Sequence, residues 1–322
     1  MDVLITGATG FIGSNLAESL RAGGARVHAL VRDPSRLRYL AGLDVQLLEG
    51  DLFRVPELPA GLTSVFHLAG LTKSLKPEPY YTVNRDGTAS LIEAILRQGL
   101  KPGFVYLSSF SAAGPSAPGA IRKESDAPAP MTPYGKSKLA GEAEVLARRG
   151  ALHVAVARVG AVYGPRDAEF AKYFRLVKRG FLPLPGRNTT PLGLCYVKDL
   201  ARGLEVLASH PAAAGEIFNL GDPVVTSLED VGLRVGAILG RKPRKIVVPV
   251  PIVHAVALAG EAVARLTGRV TIINRQKFNE YTQPGWVADV GKAKDLFGFE
   301  TKFSLDDGLR ETVDWYRANG WL

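Results

Sequence analysis

The sequence has little cysteine and no regular spacing of metal-binding residues. Its 322 residues include one Cys, two Met and three Trp. A lone Cys195 excludes an internal disulfide and a cysteine-based zinc site, and it fits a reducing compartment, so we predict a cytoplasmic protein. We predict no bound metal, because ligand spacing is absent among the five histidines, His28, His67, His153, His210 and His254.

The sequence also lacks an obvious targeting or membrane-spanning segment. Its first residues, MDVLITGATG, show no basic stretch followed by a long apolar run, so we predict no signal peptide. The most apolar stretch, Ile246–Ala264, is interrupted at residues 249, 251, 254 and 261 and is a poor candidate for a spanning helix. We expect a buried helix that begins near Pro251. The alternative is a helix that lies on a membrane surface beside the basic residues 241–245.

Acidic residues are outnumbered, with 31 Asp and Glu against 40 Lys and Arg, which gives a formal net charge of +9. The basic residues are spread along the chain, and the densest group is Arg241, Lys242, Arg244 and Lys245. Aromatic residues do not interleave with this group, so we predict no nucleic-acid partner. A composition of 46% hydrophobic and 22% charged residues excludes a disordered or collagen-like chain.

Short β-branched runs alternate with helical segments through the first two-thirds of the chain. The predicted helices lie at about 11–23, 80–98 and 134–149, and the predicted strands are Val3–Thr6, Arg26–Val31, Val45–Glu49, Ser64–Leu68, Phe104–Ser108, His153–Arg158 and Glu216–Leu220. This alternation is typical of an α/β fold with a parallel, doubly wound sheet.

After about residue 165 the strands shorten and Pro and Gly breaks become frequent. We therefore assign residues 1–165 to a dinucleotide-binding domain, with later returns near 191–222. Residues 166–190 and 223–322 are assigned to a smaller, substrate-binding C-terminal lobe.

A glycine-rich turn follows the first predicted strand. Gly7 permits a tight turn, Gly10 lets the backbone approach a pyrophosphate, and Gly13 allows close packing of helix on strand. The helix start at Phe11 and Ile12 then offers free N–H groups to an anion. The alternative is a purely structural turn, since glycine turns between strand and helix are common.

The residues after the second and third strands bear on the choice of dinucleotide. Arg32 follows the strand end at Val31, where a guanidinium suits a ribose 2′-phosphate, so we predict a preference for NADP(H). Asp33 is the counter-evidence, because its carboxylate one residue later suits the free ribose of NAD(H). Asp51 and Leu52 are predicted to contact the adenine, and the alternative for Asp51 is a helix cap.

Small residues close the fourth strand in the segment His67-Leu68-Ala69-Gly70, as expected where a backbone passes close to a ligand. We expect Leu68 and Ala69 to contact the cofactor. Asn84, on the next helix, is either a buried polar anchor or part of a proton relay at the cofactor site.

A group of hydroxyl and amine side chains points to proton transfer. Ser109 lies at the end of a strand, and Tyr134 and Lys138 are four residues apart, so they share one helix face. A neighbouring ammonium, together with the positive charge of an oxidised nicotinamide, favours the phenolate form of the tyrosine, which can then exchange a proton with a substrate oxygen. The alternative is an ordinary exposed Tyr/Lys helix face.

Taken together, these motifs resemble the extended short-chain dehydrogenase/reductases of the epimerase/dehydratase superfamily. The matching segments are Thr6-Gly7-x-x-Gly10-x-x-Gly13, Asp51-Leu52, His67-Leu-Ala, Asn84, Ser108-Ser109, Tyr134-x-x-x-Lys138, Arg158–Pro165, Tyr196–Ala201 and Trp286 to Tyr316. The resemblance implies a Rossmann domain with a smaller C-terminal substrate lobe and a catalytic triad of Ser109, Tyr134 and Lys138. It also implies that the backbone near Val159 faces the nicotinamide, and that the protein is a homodimer through the helices at 80–98 and 134–149.

The branch within this superfamily bears on the substrate. Nucleotide-sugar enzymes usually carry Asn where this chain has Ala161 and Arg near Leu192, although Arg187 or Arg166 could substitute. Val31-Arg32-Asp33-Pro34 is similar to the dihydroflavonol-reductase and 3β-hydroxysteroid-dehydrogenase branch. Ser111, Ala161 and Tyr196 are candidate substrate contacts on position alone.

We therefore predict an oxidoreductase that interconverts a ketone and a secondary alcohol on a fairly apolar small molecule. The alternative is a nucleotide-sugar epimerase or dehydratase with tightly bound NAD. A third reading, a non-catalytic dinucleotide sensor, is disfavoured because Ser109, Tyr134 and Lys138 are all present.

Overall fold

The computed structural model describes residues 1–186, 190–267 and 275–322. Up to residue 159 the elements are β1 (Asp2–Thr6), α1 (Phe11–Ala22), β2 (Arg26–Val31), β3 (Gln46–Glu49), β4 (Leu62–His67), α2 (Glu78–Tyr81), α3 (Gly87–Arg97), β5 (Gly103–Leu107), α4 (Phe110–Ala113), α5 (Pro133–Leu146) and β6 (Val154–Val159). A π-helical turn, Thr82–Asp86, joins α2 to α3, and a 3₁₀ turn occupies Arg38–Leu40.

The remaining elements include shorter strands and more helices. They are β7 (Ala161–Tyr163), α6 (Ala168–Lys178), β8 (Phe181–Pro185), β9 (Leu194–Tyr196), α7 (Val197–Leu207), β10 (Glu216–Leu220), α8 (Leu228–Ile238), β11 (Arg244–Val248), α9 (Val250–Thr267), α10 (Arg275–Tyr281), α11 (Gly291–Phe297) and α12 (Leu305–Ala318). A second 3₁₀ turn lies at Pro211–Ala213.

Seven strands form one sheet in the order β3-β2-β1-β4-β5-β6-β10, and every neighbouring pair is parallel. This is the Rossmann arrangement, which confirms the predicted doubly wound α/β fold. Each of the seven predicted strands is present, with boundaries that differ by at most two residues. The strand order reverses between β1 and β4, and ligands bind at such a switch point, outside the carboxyl ends of the strands.

Alternation along the strands divides the core between the two faces of the sheet. On β1, Val3 and Ile5 point into a cluster with α1 and α7, while Leu4 points into a second cluster with α3 and α5. Both faces are covered by helices, so the central strands are apolar throughout. This explains why the parallel sheet can be predicted from continuous apolar runs.

A third hydrophobic cluster lies among the C-terminal elements. Its buried members come from β7 to α7, α8 and α12, and they include Phe174, Leu182, Val235, Leu309 and Tyr316. Two parallel pairs, β8 with β11 and β7 with β9, accompany it. The proposed boundary between the lobes at residues 165/166 stays a prediction.

The apolar stretch Ile246–Ala264 is not the buried helix that we expected. It forms the end of β11 and most of α9, which begins at Val250, close to Pro251. Ala257 and Ala264 are buried, but the larger side chains on this helix are exposed, including Ile252, Val256 and Val263. The prediction of burial is wrong because it followed from hydrophobicity alone, whereas the inward face of the helix is occupied by small residues. None of the helices in the described ranges is long and apolar enough to cross a membrane.

Candidate active site

The glycine turn between β1 and α1 is built as the spacing predicts. Gly7 has a positive φ of 72°, and an added Cβ there would lie 2.8 Å from the backbone nitrogen of Ala69. A Cβ on Gly13 would lie 2.3 Å from the carbonyl oxygen of Gly7, so neither position accepts a side chain without a shift. Gly10 precedes α1 and supplies no side-chain cap.

This turn fits a bound pyrophosphate. The first helical N–H groups, at Phe11, Ile12 and Gly13, have no partner within a helix, and the first turn of α1 contains no carboxylate. An unblocked helix N-terminus of this kind attracts an anion through its N–H groups and its dipole. These residues would hold the diphosphate of a dinucleotide.

A chain of buried hydrogen bonds fixes the edge of the sheet beside the turn. Ala69 N–H donates to Thr6 Oγ1 at 3.1 Å, and Thr6 Oγ1 lies 2.7 Å from His67 Nδ1. His67 Nε2 lies 2.9 Å from Thr88 Oγ1, whose hydroxyl donates to the Asn84 carbonyl at 2.8 Å. The Thr88 hydroxyl is therefore the acceptor for His67 Nε2–H, and Nδ1 accepts from Thr6.

His67 is neutral in this chain of bonds. Burial, assisted by the positive charge of Lys138, lowers its pKa to about 3. Its role is to hold β4 against β1 and α3, and so to place Leu68 and Ala69 next to Gly7.

Asn84 is completely buried in the π-helical turn and links two parts of the site. Its Nδ2 donates to the Leu71 carbonyl at 3.0 Å and to Ser137 Oγ at 2.9 Å, while its Oδ1 accepts from Leu71 N–H at 2.8 Å. The loop after β4 is thus tied to α5. Of the two readings offered by the sequence, this geometry favours a polar anchor.

Asp33 makes hydrogen bonds and an ion pair, whereas the neighbouring Arg32 is exposed. Asp33 Oδ1 accepts from both the N–H and the hydroxyl of Ser35, and its other oxygen lies 3.2 Å from Arg36 Nε. These bonds lower the pKa of Asp33, the Ser35 hydroxyl having the largest effect. Arg32 is exposed at the end of β2.

Asp51 and Leu52 lie in the loop after β3. Asp51 Oδ1 accepts from Phe53 N–H and Arg54 N–H, each at 2.8 Å, and the bond from Phe53 is the main cause of its lowered pKa. One carboxylate oxygen therefore caps a turn. Leu52 is buried against Gly87 at the start of α3.

Ser109 and Tyr134 are brought together by two short connections. Ser109 caps α4 by accepting from Ser111 N–H at 3.1 Å, and Thr132 caps α5 by accepting from Gly135 N–H at 3.1 Å. A Cβ on Gly135 would lie 2.2 Å from the Ser111 carbonyl, so this glycine allows α4 and α5 to approach closely. The Ser109 hydroxyl is thereby placed near enough to the Tyr134 phenol to act on its pKa.

The pKa of Tyr134 is raised in the chain by itself. Burial is the largest cause, and the Ser109 hydroxyl and the charge of Lys277 only partly oppose it. Tyr134 is therefore a protonated phenol. The expectation that Lys138 together with an oxidised nicotinamide favours the phenolate concerns the protein with its cofactor bound, and it stays a prediction.

Lys138 is buried one helical turn after Tyr134. Its Nζ lies 4.2 Å from the centre of the Tyr106 ring and 3.6 Å from the position of a Cβ on Gly70. Burial lowers its pKa to about 7, although the charge of Glu142 acts in the other direction. The amine thus lies over an aromatic ring, and the nearby Glu142 carboxylate acts on it electrostatically.

Glu142 continues the same buried face of α5 and was missed by sequence reasoning. Arg158 on β6 donates to both of its carboxylate oxygens, at 2.9 Å and 2.6 Å, and Ser108 donates to one of them. The available signal was the spacing of Tyr134, Lys138 and Glu142, each four residues from the next.

Residues of α2 and α10 form a second side of the site, and sequence reasoning missed them as well. Tyr80 stands with its ring centre 6.2 Å from that of Tyr134, and its hydroxyl lies 3.4 Å from Gln276 Oε1. Lys277 pairs with Glu280 at 2.6 Å, and its charge acts on the Tyr134 phenol. No local motif in the sequence marks these residues, since 130 or more positions separate α10 from α5.

Residues 3–221 match the NAD-dependent epimerase/dehydratase family. The chain belongs to this family. Membership confirms the resemblance seen in the motifs and identifies an enzyme of the extended short-chain dehydrogenase/reductase type. The reading as a non-catalytic sensor is therefore set aside.

Relatives within the family differ in activity. A ceramide reductase of Caulobacter vibrioides is 31% identical to this chain over 99% of it and 96% of the relative. A UDP-glucose 4-epimerase of Vibrio cholerae is 27% identical over 97% and 94% of the two chains. The crystal structure of MoeE5 with UDP-glucose and NAD is 28% identical, covers 99% of each chain and superposes with a TM-score of 0.76.

The two positions where we expect Asn and Arg in a nucleotide-sugar enzyme, and the two arginines that could substitute, have different surroundings. Ala161 is exposed on β7, and Leu192 forms isolated bridges with Thr226 and Trp286. Arg166 points to α1, where it pairs with Glu18 at 2.6 Å and lies over the Tyr39 ring. Arg187 lies outside the described residues.

The other candidate substrate and cofactor contacts occupy different environments. Ser111 is half-buried on α4, and Val159 ends β6 at the carboxyl edge of the sheet. Tyr196 is only 2% exposed and packs edge-on against Phe303, which favours a packing role. Cys195 is buried beside it, and burial raises the pKa of its thiol.

Proposed function

We propose that this protein is an NADP(H)-dependent oxidoreductase that interconverts a ketone and a secondary alcohol on a lipophilic substrate. The observation that carries the proposal is that burial raises the pKa of the Tyr134 phenol and keeps it protonated beside Ser109. A phenol that burial keeps protonated is suited to donating a proton to the oxygen of a ketone under reduction.

The chain supplies positioning and a proton for this reaction. The ketone oxygen would lie within hydrogen-bond distance of the Ser109 and Tyr134 hydroxyls, and Tyr134 would transfer its proton to that oxygen. A bound reduced nicotinamide would supply the hydride to the carbonyl carbon. Lys138, held against Tyr106, would bind the nicotinamide ribose and stabilise the phenolate left on Tyr134.

The preference for NADP(H) rests on Arg32. Asp33 is engaged by Ser35 and Arg36, whereas Arg32 is exposed and its charge reaches the neighbouring Asp51. Replacement of Arg32 by Ala should weaken NADPH binding at least about tenfold more than NADH binding, as expected for loss of a charge-assisted phosphate contact. Arg26→Ala, a change of the same kind at the start of β2, is the control. Equal or tighter binding of NADH by the unmodified protein would show that the preference is wrong.

Two observations support this substrate class: the activity of a relative and the ion pair made by Arg166. The ceramide reductase of Caulobacter vibrioides supports a lipid ketone, and Arg166, engaged with Glu18, is not directed to a nucleotide diphosphate. As the first substrate to assay we propose an oxidised ceramide, in which a ketone stands in place of the secondary alcohol. The readout is NADPH consumption. Turnover of UDP-sugars in the absence of turnover of any lipid or other ketone would overturn the proposal.

A nucleotide-sugar epimerase or dehydratase is the second candidate, because relatives with those activities cover almost the whole chain. Such enzymes recycle their NAD during each turnover. Denaturation of freshly purified protein, followed by chromatography, separates the candidates: near-stoichiometric NAD favours the epimerase or dehydratase, and an empty site that takes up NADPH favours the reductase.

We further propose a homodimer through α3 and α5. The two helices pack side by side, and α5 presents small side chains outward at Ala140, Ala143 and Ala147. Small residues allow a second pair of helices to approach closely. Sedimentation of the purified protein, with Ala143→Arg as the disrupting variant, tests this arrangement.

A further inference from the structure

Helix α9 exposes large apolar side chains to solvent. The exposed fractions of these residues are 45% for Val250, 52% for Ile252, 46% for Val256, 44% for Leu258 and 52% for Val263. Ile252, Val256 and Val263 lie within about 40° of one another around the helix axis, at 100° per residue. These three residues are called the α9 apolar face below.

The orientation of this helix is the reverse of that in a water-soluble surface helix. Its inward side is lined by small residues, with Ala257 and Ala264 fully buried, and its larger aliphatic side chains point outward. A helix at a protein surface normally buries its large apolar residues and exposes polar ones. The α9 apolar face therefore requires a cover from outside the described chain.

Contacts on the inward side show how the helix is held. His254 stacks on Phe278 of α10, with ring centres 4.6 Å apart, and Val250 lies against Gly186 after β8. These contacts fix the direction in which the apolar face points.

Unpaired cations lie at the start of β11, the strand that leads into α9. Arg241, Lys242 and Arg244 are exposed and form no ion pair with any described residue, while Lys245 pairs with Glu229. The chain runs from these residues through Ile246 and Val247, both exposed, directly into α9.

The end of α6 adds further positive charge to the same region. Arg244 N–H donates to the Gly180 carbonyl at 2.8 Å, which brings the exposed Phe181 beside Arg244. A surface cavity of about 520 Å³ is lined in part by Lys178, Arg179 and Arg241. Basic side chains and exposed apolar side chains thus border each other.

We propose that the α9 apolar face and the adjacent basic residues dock this protein on an anionic lipid bilayer. The apolar side chains would enter the boundary between headgroups and acyl chains, and the cations would contact lipid phosphates, as expected for an interfacial helix. A second copy of the chain is a poorer cover, because it carries the same cations and a net charge of +9, whereas lipid phosphates would neutralise these cations.

The docked orientation would also bring a lipid substrate to the catalytic residues, and this consequence rests on the proposed function. Helix α10 lies between the bilayer-facing helix and the site: Phe278 stacks on His254, and Gln276 contacts Tyr80, the neighbour of Tyr134. A ketone held in a membrane could thus reach Tyr134 along α10 without crossing bulk water.

The test is co-sedimentation of the full-length protein with vesicles of phosphatidylcholine alone or with about 30 mol% phosphatidylglycerol. We expect binding to the anionic vesicles at least about tenfold tighter than to the neutral ones. Ile252→Ser/Val256→Ser/Val263→Ser should weaken this binding at least about tenfold. Arg241→Gln/Lys242→Gln/Arg244→Gln should remove most of the preference for anionic lipid, at about fivefold per charge.

Matched controls separate this surface from general hydrophobicity and charge. Leu233→Ser/Leu296→Ser removes exposed leucines from α8 and α11, and Arg97→Gln/Lys101→Gln/Arg149→Gln removes three exposed cations elsewhere. Both controls should bind vesicles as the unmodified protein does. Equal loss in a control and its test variant would overturn the proposal, as would absence of binding to the anionic vesicles.

Sedimentation of the protein without lipid tests the alternative, in which a second copy of the chain covers the α9 apolar face. If the serine variant at 252, 256 and 263 changes a dimer to a monomer and vesicles bind neither form, a second copy covers the face and the bilayer proposal is wrong. Vesicle binding is measured without turnover, so its outcome is independent of whether the protein reduces a lipid ketone.

Discussion

Arg158 binds Glu142 through both carboxylate oxygens, at 2.9 Å and 2.6 Å, and the two side chains are 2% and 1% exposed. The pair lies directly behind the candidate site on α5, because Glu142 is one turn after Lys138 and Lys138 one turn after Tyr134. The charge of Glu142 raises the pKa of Lys138 against the effect of burial. Strand β6 thus holds the carboxylate whose charge favours the protonated form of Lys138.

Loss of one partner of this pair should be far more costly than loss of both. Glu142→Gln leaves Arg158 as an uncompensated buried charge, so we expect the free energy of unfolding to fall by about 3–5 kcal/mol. The double variant Glu142→Leu/Arg158→Met should recover much of this stability but not the activity. Urea denaturation of the three proteins measures the effect, and a double variant no more stable than Glu142→Gln would contradict it.

Removal of the Tyr134 hydroxyl should abolish proton transfer while leaving the dinucleotide site intact. We expect Tyr134→Phe to lower kcat about 10²–10⁴-fold, the usual contribution of a positioned acid. Dinucleotide affinity, measured by fluorescence, should be unchanged. Tyr81→Phe, the same chemical change on α2, should retain full activity. Survival of activity in Tyr134→Phe would rule out the assigned role.

The buried Lys138 makes stability depend on pH. Its pKa is about 7 in the folded protein and about 10.4 in an unfolded chain. Between these values the unfolded chain binds a proton that the folded protein does not, so the free energy of unfolding should rise with pH. The penalty is fully present below about pH 7 and relieved above the unfolded pKa.

Denaturation in urea at several pH values from about 7 to 10, without cofactor, measures this dependence. The slope due to Lys138 should be at most about 1.4 kcal/mol per pH unit. It should be missing in Lys138→Met, which serves as the comparison because other groups titrate in the same window. Identical slopes in the two proteins would mean that Lys138 keeps its ordinary pKa.

Asn84 should matter for positioning as well as for stability. Asn84→Ala leaves the N–H and carbonyl of Leu71 without their partner, and a buried unsatisfied group costs about 1–3 kcal/mol. We also expect a fall in kcat, since α5 loses its bond through Ser137. Asn219→Ala, which removes a buried amide bonded to the Asp289 carbonyl, should lower stability without that fall. The measurement is kcat of both variants under conditions in which each is folded. Equal kcat values for Asn84→Ala and Asn219→Ala would contradict the positioning role of Asn84.

The glycine turn offers a direct steric test of dinucleotide binding. A Cβ on Gly13 would lie 2.3 Å from the Gly7 carbonyl, whereas a Cβ on Gly23 at the other end of α1 would lie 3.5 Å from the nearest atom. Gly13→Ala should therefore weaken dinucleotide binding at least about tenfold by displacing the turn at the anion site. Gly23→Ala should bind normally. Equal affinities would show that the cofactor lies elsewhere.

The sequence was informative wherever local spacing determines geometry. The apolar runs predicted the seven strands because both faces of a parallel sheet are buried. The glycine spacing and the Tyr134–Lys138 spacing predicted two halves of the site, since a strand–turn–helix unit and a single helix face are local structures.

Other features depended on contacts between distant parts of the chain. Arg158 and Tyr80 reach α5 from other elements, and Lys277 approaches Tyr134 from a helix more than 130 residues away. The protonation state of Tyr134 depended on burial, which no spacing of residues reveals. Burial raises the pKa of the phenol in the chain by itself.

Helix α9 also combines a feature that the sequence predicts with one that depends on the tertiary structure. Its sequence determined a long apolar helix, and the burial of that helix was expected from hydrophobicity. Only the tertiary structure decided which side faces inward, because the small residues Ala257 and Ala264 pack against the chain and leave Ile252, Val256 and Val263 outside. Sequence determines which side chains a helix carries on each face, whereas the shape of the neighbouring elements determines which face they cover.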